Sequence, residues 1–224
     1  MAHGACVWTQ RQTHGQGRNG STWRSPPGVL TASFVLRVAN VDADAGRLSL
    51  LAGLATCYAI EDAVAGARVH IKWPNDCVVD GRKLAGILCA RAPSDELSVV
   101  VGIGLNVDPI RRDPDAWRAV IAIGGRSAIS LDELCINPPE MSDLLKSMRR
   151  YLLEAAAMLT VGGWERLLNP LRERDWLRGK RLNLDSAGEL VSGVAAGIGD
   201  DGRLRVRMES EERSFASAHI LAVE

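Results

Sequence analysis

Apolar and polar residues alternate at period two in several early segments, repeat at helical spacing in the middle, and alternate again near the end. Ala5 to Thr9 reads as a strand, and Leu30 to Val38 and Leu97 to Val107 are apolar enough to be strands inside a sheet. Val69 to Trp73 alternates and is closed by Pro74, which donates no ladder hydrogen bond. Val78-Val79 then runs into Asp80-Gly81, a strong hairpin signal, and Leu84 to Leu88 returns as the partner strand. Leu48 to Val64 carries a helical stripe through Leu50, Leu51, Leu54, Ala55, Tyr58 and Ala59, with Ser49 near its start and Gly66 past its end. Pro109 to Pro114 reads as a charged loop. Ser142 is a candidate N-cap for a helix to about Leu159, and Gly162-Gly163 separates it from a second helix, Trp164 to Arg174, interrupted at Pro170. Met148, Trp164 and Trp176 read as packing residues.

From about Arg178 the texture changes. Lys180 to Leu184, Leu190 to Ala195 and Leu204 to Met208 alternate, separated by Asp185-Ser186-Ala187-Gly188 and Gly199-Asp200-Asp201-Gly202. Short strands joined by hairpin turns predict a small barrel. The expected organisation is one domain over 1–177 and a second over 178–224.

Composition narrows the function classes. Of 224 residues, 46% are hydrophobic and 24% charged, a soluble globular balance. Twenty-seven basic and 27 acidic side chains cancel, so total charge gives no nucleic-acid footprint. The five cysteines show no metal-ligand spacing and are expected to be reduced and structural; no metal site is predicted. With no signal-peptide pattern and no membrane-length apolar run, the expected location is the cytoplasm.

Two clusters carry the chemistry. Lys72-Trp73-Pro74-Asn75-Asp76 and Lys83-Leu84-Ala85-Gly86-Ile87 put two ammonium groups, an amide and a carboxylate on adjacent strands, whose pairing is expected to bring Lys72 and Lys83 near each other. Such a set suits an anionic substrate, although lysines on a hairpin are also ordinary surface residues. Upstream, Gln12-Thr13-His14-Gly15-Gln16-Gly17-Arg18-Asn19-Gly20 is a glycine loop with one arginine. It matches G-x-G-x-x-G, but no helix opens after it, because Pro26-Pro27-Gly28 follows. Its backbone N–H groups, with Arg18, suit a phosphate nest, or the segment is a plain loop. Trp23 is either a stacking platform or a packing residue.

These strings, with Ser25-Pro26-x-Gly28 and Val101-Gly102-Ile103-Gly104-Leu105-Asn106-Val107, resemble the biotin protein ligase family in order and spacing, from about Gly4 to the C-terminus. The resemblance implies an α+β fold: a mixed sheet flanked by helices, of the class II synthetase-like kind, followed by an SH3-like β-barrel. It implies ATP with Mg2+, biotin as substrate, and the biotin carboxyl-carrier domain of a carboxylase as acceptor; no nucleic acid or membrane partner is expected, and the chain is a monomer or homodimer. It implies catalytic roles for Lys83, Arg18 and Asp76, with Asp76 orienting or deprotonating the acceptor lysine. It implies binding roles for Gln12, Gly15, Gln16, Gly17, Trp23, Lys72, Asn75 and Gly86, and Asn106 is either a binding residue or a strand-end cap. The alternatives are an impaired ligase-like binding protein and a lipoate–protein ligase, and Trp73-Pro74 favours biotin over lipoate. Two departures stand out. Gln16 occupies a position where many relatives carry arginine. Only Met1 to Cys6 precede the strand at Val7, where the family has a strand and helix with a Ser/Thr/Asn motif for the ureido ring, so weak binding of free biotin is expected. The winged helix of DNA-binding relatives is not in this sequence.

Overall fold

The segments that alternate early in the chain pair into one six-stranded sheet. This computed structural model describes residues 2–38, 41–92, 95–124 and 128–224. The sheet contains β1 (Cys6–Thr9), β2 (Val29–Arg37), β3 (His70–Lys72), β4 (Asp76–Val79), β5 (Arg82–Ala92) and β6 (Asp95–Asn106), in the order β1-β2-β6-β5-β4-β3. The expected mixed sheet is antiparallel in all its ladders. Parallel pairing among the described residues is confined to the isolated bridges Ile71↔Asp175 and Lys83↔Ala128. Short reversals between β3, β4 and β5 dictate this, since parallel neighbours need a long crossover.

The lysine motif is therefore a three-stranded meander, not one hairpin. Lys72 lies opposite Asp76 across β3–β4, and Lys83 lies opposite Val78 across β4–β5. The expected approach of Lys72 to Lys83 gives way to an approach of Lys83 to Asp76, because β4 stands between the two lysine-bearing strands. Asp80 and Gly81 both take positive φ, +49° and +76°, the geometry that a two-residue hairpin turn demands.

Helix α1 (Val41–Ala63) begins well before the predicted Leu48. Ser49 is accordingly inside the helix, and its hydroxyl donates to the carbonyl of Pro74 at 3.1 Å, holding the β3–β4 turn. Pro109 to Pro114 is not a loop. It forms α2 (Pro109–Arg112) and leads into α3 (Pro114–Gly124), each starting on a proline, whose missing N–H has no intrahelical partner at that position anyway. A short α4 (Leu131–Leu134) follows behind a Ser130/Glu133 capping box.

The N-cap position of helix α5 (Met141–Thr160) is Glu140, which makes no side-chain capping bond, and not the predicted Ser142. Glu140 is extended (ψ 137°), and burying Met141 as the first helical residue moves the start upstream. Helix α6 (Trp164–Glu173) continues through Pro170, because Leu167, Leu168 and Leu171 are buried and outweigh one lost hydrogen bond. Helices α1 and α5 pack on each other and on the sheet. Phe34, Leu51, Leu54, Leu84 and Leu105 meet there with at most 2% exposure, each such side chain contributing about 1.5–3 kcal/mol.

The C-terminal segment forms a five-stranded antiparallel sheet. Its strands are β7 (Arg181–Ser186), β8 (Glu189–Ile198), β9 (Leu204–Arg207), β10 (Glu212–Phe215) and β11 (His219–Val223), in the order β10-β9-β8-β7-β11. It is tied to the rest at the β8–β9 turn. The buried Trp73 indole N–H donates to the Gly202 carbonyl at 3.1 Å, and the Ile198 N–H donates to Asp175 at 3.1 Å. No helix among the described residues is long and apolar enough to cross a membrane.

All five cysteines are free thiols. Cys57 and Cys77 are fully buried with their sulfurs 4.0 Å apart, and burial pushes the Cys89 thiol up to about 12. At pH 8 the native protein is expected to leave the buried Cys57 and Cys77 unmodified by an aromatic disulfide reagent, and unfolding should expose all five. Rapid native titration of five thiols would contradict the packing described.

Candidate active site

Period two along β6 divides its side chains. Val101 and Leu105 go to the core, whereas Gly102, Gly104 and Asn106 line a cleft of about 1000 Å³ on the other face. Across the floor, Gly86 of β5 sits opposite Gly104, and Thr31 of β2 flanks Gly104 on its other side. The two glycines leave a slot, and the Trp23 indole lies in it. A Cβ on Gly104 would stand 2.3 Å from the indole, and one on Gly86 would stand 3.0 Å from Lys83 Nζ and 3.4 Å from the indole. The Trp23 ring N–H is buried without a hydrogen-bond partner among the described residues.

Lys83 opens the floor of β5. Its backbone carbonyl accepts from Ile129 N–H at 3.0 Å and from the Asn106 amide at 3.3 Å, and Asn106 also donates to Ile129 O at 3.0 Å. Asn106 thus clips the strand ends together, the cap role that was one of its two predicted uses. The Lys83 ammonium pairs with Asp76 at 2.5 Å and lies 5.7 Å from the centre of the Trp23 ring. Both partners are mostly sequestered, at 27% and 14% side-chain exposure.

The glycine loop approaches from above. It is a closed reversal: Gln16 bridges Thr22, Gly17 N–H donates to Ser21 O at 2.6 Å, and Trp23 N–H donates to Gly15 O at 2.9 Å. The Gly17 N–H predicted for a nest is therefore already engaged inside the loop. Gly15 does not line the cleft; it is buried behind the wall, where a Cβ would meet Trp23 O at 2.3 Å. Asn19 at the tip takes φ +53° within a short 3-10 turn, Arg18–Gly20. From there Arg18 donates through Nη1 to Asn75 Oδ1 at 3.3 Å and through Nη2 to Ser217 Oγ at 2.9 Å. Burial lowers the Arg18 guanidinium from its ordinary value, and the charge of Asp76 opposes that shift. Asp76 thus stands between two cations.

Gln12, Gln16, Gly17, Arg18, Trp23, Lys72, Asn75, Asp76, Lys83, Gly86 and Asn106 all line this one cleft. Lys72 reaches its rim, 5.4 Å from the Trp176 ring centre. Among the described lining residues four cations, Arg18, Arg24, Lys72 and Lys83, face one carboxylate, Asp76. The wall is completed by Trp8, by Trp117 of α3 and by Ala218 to Ile220 of the C-terminal sheet. None of these was foreseen. Trp117 lies just past the predicted loop, in a stretch for which no element was predicted, and the Ala218 segment carries no local pattern of chemistry. Among the described residues no group of three or more His, Cys, Asp or Glu gathers to hold a metal ion.

A cation-lined cleft on an antiparallel sheet, covered by a glycine loop, is suited to anionic groups. The sequence model of the biotin/lipoate A/B protein ligase family matches residues 2–108, and the chain belongs to that family. Two similar relatives are both called biotin–(acetyl-CoA-carboxylase) ligase. The one from Mycobacterium tuberculosis is 34% identical over 208 residues, covering 90% of this chain and 72% of the relative. That of Paracoccus denitrificans is 30% identical, covering 98% and 91%. In fold, the chain is similar to the biotin protein ligase from Aquifex aeolicus in complex with biotin and ATP, with TM-score 0.84, 22% identity and coverage of 100% and 90%.

Proposed function

We propose that this chain is an ATP-dependent ligase that converts biotin to biotinyl-5′-AMP and passes it to a lysine of a carboxylase biotin-carrier domain. The observation that carries the reading is the cation excess of the cleft, centred on Lys83 above a glycine floor. The named relatives give it its substrate. A carboxylate oxygen attacks the α-phosphorus of ATP, the bond to pyrophosphate breaks, and pyrophosphate leaves. Two anionic groups must meet for this, so fixed positive charge at the meeting point stabilises the transition state. Lys83 takes the central position and Arg18 the phosphate side, while Gln12, Gln16 and Gly17 contact the biotin or adenylate. Lys72 supplies charge at the rim. The Trp23 indole, seated over Gly86 and Gly104, presents the apolar surface that biotin packs against.

In the second step the acceptor lysine's amine attacks the acyl carbon, AMP leaves, and the amine's proton passes to Asp76. Asn75 orients Arg18. The described residues do not build a resident metal site, so magnesium is read as arriving on the ATP phosphates, and no step depends on its position. Residues 178–224 act as the separate unit that closes the cleft, in a monomer or homodimer working in the cytoplasm. Incubation with ATP, labelled biotin and a carrier domain should label one lysine of the carrier; ATP-independent labelling, or none, overturns the reading. Arg18→Gly is expected to release biotinyl-AMP faster than the parent chain, measured by trapping the free intermediate.

A further inference from the structure

The C-terminal sheet borders the catalytic cleft, and it reaches Arg18 through the Ser217 hydroxyl. Ser217 lies between β10 and β11, is exposed, and accepts from Arg18 Nη2 at 2.9 Å. The other terminal nitrogen of Arg18 donates to Asn75 Oδ1 at 3.3 Å. Asn75 is itself fixed on both sides of its backbone and side chain: its amide donates to Ile87 O at 2.8 Å, and its carbonyl accepts from Ile87 N–H at 2.9 Å. Ser217 has its own anchor, because Ser186 Oγ donates to the Ser217 carbonyl at 3.4 Å. The guanidinium is therefore held at two nitrogens by two separate parts of the fold. One hydrogen bond alone leaves a long arginine side chain free to rotate about the bonded atom, whereas two fix the plane of the group.

We propose that Ser217 is a positioning residue for Arg18, with the C-terminal sheet holding the guanidinium in the orientation that retains the acyl-adenylate. The inference rests on the assignment of Arg18 to the adenylate made above. Because Ser217 is exposed and its carbonyl bond to Ser186 does not need the side chain, Ser217→Ala removes the contact to Arg18 without opening a cavity. The unbonded Arg18 then samples other rotamers, and the intermediate escapes more often.

The test measures the dissociation rate of preformed biotinyl-AMP from the full chain and four variants, with the melting temperature of each as a check on folding. Ser217→Ala should speed release about fivefold, the scale of one net hydrogen bond. Ser217→Thr, which keeps the hydroxyl, should restore slow release. In an Arg18→Gly background, Ser217→Ala should add nothing, because the group it orients is gone. Unchanged release in Ser217→Ala, failure of Ser217→Thr to restore it, or a full fivefold effect in the absence of Arg18 overturns the inference. If Arg18→Gly alone speeds release while Ser217→Ala does not, only the inference fails. If Arg18→Gly also has no effect, the adenylate assignment of Arg18 fails with it.

Discussion

Lys83→Ala is expected to lower the rate of adenylate formation by about 10² or more, the scale of one electrostatic group aimed at developing charge. Lys83 is held from both ends. Its carbonyl is clipped by Asn106 and Ile129, and its ammonium is drawn between Asp76 and the face of Trp23. Such a group needs no reorganisation when an anionic transition state forms beneath it. The substitution leaves Asp76 largely buried without its closest cation, so some stability is lost too. Adding Asp76→Asn separates the two effects, because it removes the stranded charge: the double variant should recover the melting temperature but not the pyrophosphate release. Near-normal release in Lys83→Ala would remove Lys83 from the mechanism.

Gly104→Ala and Gly102→Ala should differ sharply, although the two glycines are two residues apart on the same face of β6. A Cβ on Gly104 falls 2.3 Å from the Trp23 indole, closer than any tolerated contact, whereas one on Gly102 falls 3.4 Å from the Leu88 carbonyl. Neither glycine takes a left-handed φ, so backbone conformation does not distinguish them. Gly104→Ala must displace Trp23 from the slot or the floor from its register. Overpacking of this kind costs about 1–3 kcal/mol, and biotin affinity is expected to fall at least tenfold, equivalent to about 1.4 kcal/mol. Gly102→Ala should change affinity less than threefold. Calorimetric titration of both variants with biotin decides the matter; equal affinities would mean that biotin does not pack against Trp23.

The parts of this molecule that were legible in the sequence are those whose geometry is local. The Asp80-Gly81 turn, the β5 strand and the α5 stripe each follow from neighbouring residues, and the structure has them close to where the periods put them. Arg18, Asn75, Asp76 and Lys83 were legible as short strings, and they converge in one cleft. Helices α2 and α3 were missed because charged residues and prolines at their starts look like a loop, although proline is well accommodated there. The start of α5 was misplaced because Ser142 satisfies the capping rule while burial of Met141 sets the true boundary. Ser217 and Trp117 were illegible for a different reason. Their relation to the cleft arises only when segments far apart in sequence are brought together, and nothing in their immediate neighbours records that.

The chain as a whole carries no net charge, yet the described cleft wall holds four cations against one carboxylate. Acidic groups elsewhere must therefore balance it, and the local excess gives the cleft a positive field of its own. Its field fades within about 8–10 Å at ordinary ionic strength. A small anion is therefore drawn in only over the last few molecular diameters, and a large acidic partner is turned to face the mouth as it arrives.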